Sequence, residues 1–226
     1  MFLAALAQPR HNPDTGSMFN GLLGIWPFVT REPAVRSSKN RPRGSMVTKT
    51  IDSINRSVIV GMIKDNLMPA IREKFPSEYK SSQITIQQDN AKPHVKPDDP
   101  DVSAAGKNEG WNIVLKCQPP NSPDLNVLDL GYFASIQSIQ YQCSPANIDE
   151  LIQCVEEAYW SQPTVTTEKI FLSYQMAMES IMEVNGSNNY KLQHMSKDKL
   201  LRSDGGLPQV LPCSEEAVNA ALEMLS

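Results

Sequence analysis

The sequence is poor in the features that most readily announce a function. Its four cysteines, Cys117, Cys143, Cys154 and Cys213, form no CxxC pair, and its three histidines, His11, His94 and His194, form no metal-ligand pair. A zinc site and a disulfide framework are therefore not expected, and a reducing intracellular compartment suits thiols spaced this widely. No apolar run approaches the ~18 residues that a membrane span needs, so no membrane partner is expected. Cations do not dominate either: 21 Lys and Arg stand against 25 Asp and Glu, for a net charge of −4. A chain whose main task is to coat nucleic acid needs clustered Lys and Arg, which leaves room here only for a local basic patch. The opening MFLAALAQPR carries Ala5-Leu6-Ala7, which imitates a cleavage site. It lacks a basic leader and its apolar run is too short for a secretory signal, so a buried strand is expected there.

What is present is a chain of 226 residues, long enough for one domain with a real core, or a domain and a tail. Phe2 to Ala7 reads as a strand covered on both faces, HNPDTGS (11–17) as turn chemistry, and GLLGIWPFV (21–29) as a second strand, the two strands forming an antiparallel hairpin with a long connection. Arg31 to Ser45 has five basic residues, two prolines and no periodicity, which predicts a loop, either a solvated linker or a surface facing nucleic acid. Apolar residues at 51, 54, 58, 62, 67 and 71 predict a helix over 51–75 with one slip near Asn66, started by Asp52 and Ser53. Strands follow at 84–88 and 111–117, separated by a polar connection with at most a short helix. Ser122-Pro123-Asp124 predicts a helix start, and Leu125, Leu128, Tyr132, Ile136 and Ile139 one helical face. Two more amphipathic helices are expected at 147–159 and 166–184, an irregular stretch from 185, and a short helix over 215–225. This order gives an α/β domain with helices packed on a mixed sheet over 1–184, and a tail over 185–226.

Asp89 ends a strand, where open α/β sheets place their ligands. Asp129 follows after 39 intervening residues, on the first turns of the next helix. Two carboxylates can share a divalent metal such as Mg2+ or Mn2+, which takes oxygen ligands and keeps several waters. Phosphodiester cleavage commonly uses two ions about 4 Å apart, and such a pair needs a third carboxylate. Each residue also has a plainer reading: Asp89-Asn90 as a strand-to-loop turn, Asp129 as an exposed helix residue, and His94 as an exposed loop histidine rather than a contact to metal or phosphate. Asp124 competes with Asp129 as a ligand, and its plainer role is helix start and dipole partner.

Several stretches, GIWPFV, RSSKNRPRG, IQQDNAKPHV and CQPPNSPDLNVLDLGYFASIQS, resemble in order the catalytic domain of mariner-type transposases, particularly the plant-type branch, from about Met1 to Tyr159. The resemblance implies an RNase H-like fold and an acidic triad that binds two Mg2+ or Mn2+ and cuts and joins DNA at transposon ends. It implies that Asp89 is the second acid and Asp129 the third, and it leaves Asp124 with its structural role. The family's first acid belongs to a "DE.WF" motif on a central strand just before the segment matched by MFLAALAQPR, and this sequence starts without it. Asp14 lies in a turn, Asp52 starts a helix and Asp65 lies within one. The family's helix-turn-helix region is not present either. The expectation is therefore an RNase H-like domain lacking its first strand, with the catalytic and metal-binding acids Asp89 and Asp129, inactive or impaired. Arg36, Lys39, Arg41, Arg43 and His94 are the candidate nucleic-acid contacts. DNA is the expected partner, a homodimer is possible through unpaired sheet edges, and a nuclear location is implied by the family. Two rivals stay open: a non-catalytic module that binds nucleic acid or protein, and a decayed transposon remnant.

Overall fold

A computed structural model describes residues 1–39, 41–192, 195–203 and 206–225; Asn40 of the basic segment and His194 lie outside them. Four strands come first: β1 (Phe2–Leu6), β2 (Arg10–Asn12), β3 (Ser17–Phe19) and β4 (Leu22–Pro27). β1 pairs antiparallel with β4, as expected, and the turn-rich connection folds back as its own small hairpin, β2 with β3. Side chains alternate across a strand. Phe2, Ala4 and Leu6 thus pack with Leu22, Ile25, Tyr132 and Tyr159, while Leu3 and Ala5 face Leu23, Ile59, Ile63 and Ile113. The run is wholly apolar because it separates two cores.

The segment expected as a loop is instead the tip of a hairpin, β5 (Val29–Pro33) with β6 (Met46–Thr50). Its charged, proline-containing strands are largely exposed and so carry no alternating apolar signal. Backbone bonds from Ala34 N to Ser45 O (2.8 Å) and Gly44 N to Ala34 O (2.9 Å) extend the pairing into the tip.

The helix expected over 51–75 runs as α1 (Arg56–Met62), a π turn (Ile63–Leu67) and α2 (Met68–Lys74). The π turn is the physical form of the slip near Asn66: its wider turn brings Ile63, Leu67, Met68 and Ile71 all into the core. The cap is Asn55, whose side chain accepts from Val58 N at 3.2 Å, rather than Asp52 or Ser53.

β7 (Gln83–Gln88) and β8 (Asn112–Cys117) pair in parallel, joined through α3 (Pro100–Gly106). Asp99 caps α3, accepting from Val102 N at 3.2 Å and Asp101 N at 3.1 Å, and its Oδ2 receives Arg56 Nε at 2.7 Å. Burial alone would push this carboxyl up. The Val102 N–H, the Arg56 guanidinium and the Asp101 N–H outweigh it and hold the carboxyl below the usual carboxylate range. A group whose folded pKa is depressed adds stability that is present above its unfolded value, near ~3.9, and lost as pH falls through the folded value. The melting temperature is expected to drop with acid below about pH 4, and Asp99→Asn should flatten that part of the profile. An unchanged acid limb in the variant would show that other groups carry it.

After β8 come a three-residue 3₁₀ turn (Pro123–Leu125), a π turn (Leu128–Tyr132) and the helices α4 (Phe133–Gln140), α5 (Ile148–Trp160), α6 (Thr164–Glu183), α7 (Lys197–Ser203) and α8 (Glu215–Leu225). α7 lies in the stretch expected to be irregular, and α8 is the short helix expected over 215–225. α8 packs on α6, and the segment that leads into it is pinned by Leu211 N to Gln175 Oε1 (2.8 Å) and Ser214 N to Glu179 Oε1 (2.8 Å).

The architecture is α/β with small sheets. Where one mixed sheet was expected, the described strands form four two-stranded sheets, and β1/β4 and β7/β8 are not hydrogen-bonded to each other. Both pack against α1, the first π turn and α2 through one shared core, and α4 to α6 cover the far face of β1/β4. Among the described residues no helix is long and apolar enough to cross a membrane.

Candidate functional site

Asp89 follows directly on the last residue of β7. Its Oδ1 accepts from Ala91 N at 2.8 Å, closing the tight local turn that Asp favours, and lies 2.7 Å from His94 Nδ1. The same ring nitrogen is 3.0 Å from the Asp89 carbonyl oxygen. The loop is anchored from behind: Gln88 Nε2 donates to Val95 O at 2.5 Å, Val95 is buried, and Asn90 Nδ2 donates to Gln118 O at 2.9 Å. His94, a candidate nucleic-acid contact, is thus the neighbour that orients Asp89. Asp89 Oδ2 has no hydrogen-bond partner among the described residues.

Asp129 sits on the π turn, exposed, with Oδ2 accepting from Asn126 Nδ2 at 2.8 Å and Oδ1 without a partner among the described residues. The long helix expected from Ser122 onward does not form. Ser122 makes no cap bond and instead donates to Pro120 O at 3.2 Å, Asn126 is extended, and Gly131 breaks the turn with φ 155°. Leu125 and Tyr132 are buried on either side of the break all the same. Asp124 is therefore not the dipole partner of a long helix. Its Oδ2 accepts from the Tyr190 hydroxyl at 2.8 Å, and burial, then the Asp124 carboxylate, push that phenol up to about 12.

The two stretches meet through Gln87, whose side-chain amide donates to Leu125 O while its Oε1 accepts from Tyr174 at 3.2 Å. The turn that leads to Asp129 is thereby fastened to β7 two residues before Asp89. No bond joins the two carboxylates, and no group of three His, Cys, Asp or Glu suited to a metal occurs among the described residues. Gln87 and Asn126 were not singled out from the sequence. Asn126 carried a usable signal, three residues before Asp129 on one turn; Gln87 carried none.

At the hairpin tip, Arg36, Lys39 and Arg43 are exposed and Arg41 is half-buried. Ser38 and Arg41 pair through two backbone bonds, Ser38 N to Arg41 O (2.7 Å) and Arg41 N to Ser38 O (3.2 Å), so the cations crown a closed turn rather than a free strand. None of the four forms an ion pair among the described residues. Trp111 is buried and Trp26 packs against the same core, which makes neither a platform for stacking bases. Compared with family models, curated proteins and solved structures, the chain gives no match.

Proposed function

We propose that this chain is a transposase-derived DNA endonuclease and strand-transferase domain of the mariner type, with an RNase H-like ground plan, in which Asp89 and Asp129 hold a divalent metal and the β5–β6 tip rests on DNA. The observation that carries it is the docking of the Asp129 turn onto β7 through Gln87, beside the strand end that bears Asp89. The donors suit the ion: Asp89 Oδ2 and Asp129 Oδ1 are hard oxygens with no competing protein partner among the described residues, the kind that Mg2+ and Mn2+ take. When bound, such an ion supplies Lewis-acid activation of a water or hydroxyl and neutralises charge on a phosphodiester. The protein's part is orientation. His94 and the Ala91 N–H fix Asp89, Asn126 fixes Asp129, and Arg36, Lys39 and Arg43 meet backbone phosphates. The reading joins β1/β4 and β7/β8 as parts of one mixed sheet, and it brings with it a nuclear site of action and self-association through open strand edges.

Two carboxylates suffice for one ion and not for two, so the 226-residue chain is expected to bind Mn2+ weakly and to cleave DNA poorly or not at all. Titration with Mn2+ should broaden the amide NMR signals of residues 88–95 and 126–131 together, and the effect should vanish in the Asp89→Ala, Asp129→Ala double variant. Broadening confined to one stretch would sink the shared site. Efficient Mn2+-dependent cleavage that is lost on Asp89→Ala would sink the impairment and make Asp124 the first suspect for a third ligand. For the DNA contact, Arg36→Ala, Lys39→Ala and Arg43→Ala combined should lower the slope of log affinity against log salt by about 2–3, at ~0.9 per phosphate contact. An unchanged slope would remove the hairpin from the interface.

A further inference from the structure

We propose that Asn20 is a site of spontaneous covalent ageing, converting through a cyclic imide to aspartate and isoaspartate, and that the isoaspartate form opens the β1–β4 hairpin. The site is independent of the DNA-processing reading. The sequence offers this chemistry at two places, Asn20-Gly21 and Asn185-Gly186, because a glycine after asparagine leaves the attacking peptide nitrogen unhindered and the backbone free to turn. The structure treats the two differently. Gly21 is buried, and its N–H has no hydrogen-bond partner among the described residues, an orphan of a kind that folded proteins rarely keep. Taking the proton from that nitrogen breaks no hydrogen bond. Asn20 is exposed, and its side chain folds back over the same peptide, with Oδ1 accepting from Leu22 N at 3.0 Å. The ring closed by that bond contains both Asn20 Cγ and Gly21 N, so electrophile and nucleophile share one tight turn. The Leu22 N–H also donates to the oxygen that gains charge as the nitrogen attacks, the arrangement that stabilises a tetrahedral intermediate.

At Gly186 the nucleophile is engaged. Gly186 N donates to Ile181 O at 2.9 Å and Asn185 N to Met182 O at 3.1 Å, the two bonds that close a helix on a left-handed residue, here Asn185 with φ 54° just past α6. Attack at Asn185 requires that this helix end open first. At Asn20 the atoms balance without an oxidant or a cofactor. Gly21 N gives its proton to solvent and bonds to Asn20 Cγ, the Cγ–Nδ2 bond breaks, and the side-chain nitrogen leaves as ammonia with a proton from solvent. Water then opens the ring. Attack at Cγ gives aspartate with the main chain unaltered, and its carboxylate can still accept from Leu22 N. Attack at the main-chain carbonyl carbon gives isoaspartate, whose backbone runs through Cγ and is one carbon longer. That carbon falls where there is no slack: a Cβ at Gly21 would stand 2.1 Å from Ala7 O, and Gly21 O already accepts from Ala7 N at 2.8 Å. β4 begins at the next residue, Leu22, so isoaspartate displaces the entry to the strand.

The test holds the full chain at physiological temperature and mildly alkaline pH, one sample folded and one in urea, and digests both with trypsin at intervals. The two asparagines fall in separate peptides, 11–31 and 170–191. In the folded chain Asn20 should convert about 2–10-fold faster than Asn185, the factor that one net backbone hydrogen bond supplies. In urea the two rates should agree, since neither turn survives there. Isoaspartate is counted by its resistance to a protease that cuts only before aspartate. Chains enriched in it should melt roughly 5 °C or more below the natural chain, whereas Asn20→Asp, which has the unaltered backbone of the other product, should melt close to it. Asn20→Gln should fold and leave the 11–31 peptide unconverted. Asn185 converting as fast as Asn20 in the folded chain, the same preference for Asn20 with and without urea, or isoaspartate-rich chains that melt together with Asn20→Asp would overturn the proposal.

Discussion

Tyr159→Phe should destabilise the protein by about 2–4 kcal/mol, and Tyr159→Ala by ~5 kcal/mol or more, read as the shift of a urea unfolding curve at constant slope. The reason lies in where the phenol sits. Tyr159 is fully buried on α5, its ring meets Tyr132 edge-on with centroids 5.7 Å apart, and its hydroxyl enters the β1–β4 ladder. There it donates to Ala5 O at 2.7 Å and accepts from Gly24 N at 2.9 Å. The ladder needs this help because its register shifts between Ala5 and Leu6, which leaves one carbonyl and one N–H facing inward without each other. The tyrosine closes that gap across 154 and 135 positions of sequence. Removing only the hydroxyl strands two buried backbone groups, at ~1–3 kcal/mol each. Removing the ring adds a cavity, for which aromatic-to-alanine changes cost ~3–5 kcal/mol. Burial, and after it the Tyr132 hydroxyl nearby, keep the phenol protonated far into the alkaline range, so the bridge survives at high pH. A Tyr159→Phe variant within ~0.5 kcal/mol of the natural chain would mean the bulge satisfies itself, since changes of that size are ordinary for uninvolved positions.

Gly21→Ala should cost about 3–5 kcal/mol, in contrast to about 1 kcal/mol for Gly44→Ala. Both glycines hold left-handed backbone, φ 82° at Gly21 and φ 88° at Gly44, so both pay the conformational term of ~1–2 kcal/mol that an L side chain meets there. They differ in space. A Cβ at Gly21 would stand 2.1 Å from the Ala7 carbonyl oxygen and 3.2 Å from its carbon, whereas nothing lies within 4 Å of one at Gly44. The Ala7 backbone has little room to yield, because its own N–H is bonded to Gly21 O at 2.8 Å. Alanine at 21 must therefore break the entry to β4 or push β1 out from between its two cores. The difference between the two variants isolates the contact from the strain. Equal costs would show that the close approach at Gly21 relaxes without consequence.

Both effects fall on one hairpin whose existence was readable and whose supports were not. An unbroken apolar run announces a strand covered on both faces, and β1 is that strand. The slip at Asn66 announced an irregular helix, and a π turn accounts for it. The helix expected over 147–159 forms as α5, capped by Asn147, whose side chain accepts from Glu150 N at 3.0 Å. For the candidate site, the position of Asp89 at a strand end was legible because a run of alternating residues stops there. The setting of Asp129 was misread. Ser-Pro-Asp carries every local mark of a helix start, yet the extended Asn126 and the non-helical Gly131 divide the segment into short turns. The β5–β6 hairpin was missed for the opposite reason: it is held by backbone bonds and its side chains are mostly in water, so no periodicity records it.

From the sequence alone came the elements with one buried stripe or face, the start of α5 near Asn147 and the charge balance. These depend on neighbours within a turn or two, where hydrogen bonds and apolar spacing act directly. The tertiary structure alone decided that Tyr159 completes the β1–β4 ladder, that Gln87 fastens the Asp129 turn to the strand of Asp89, and that the strands divide into separate pairs. Contacts of this kind depend on how covered faces stack. Many sequences with the same periodicity bury the same apolar area in different arrangements, and only close packing of these particular side chains selects which distant groups touch.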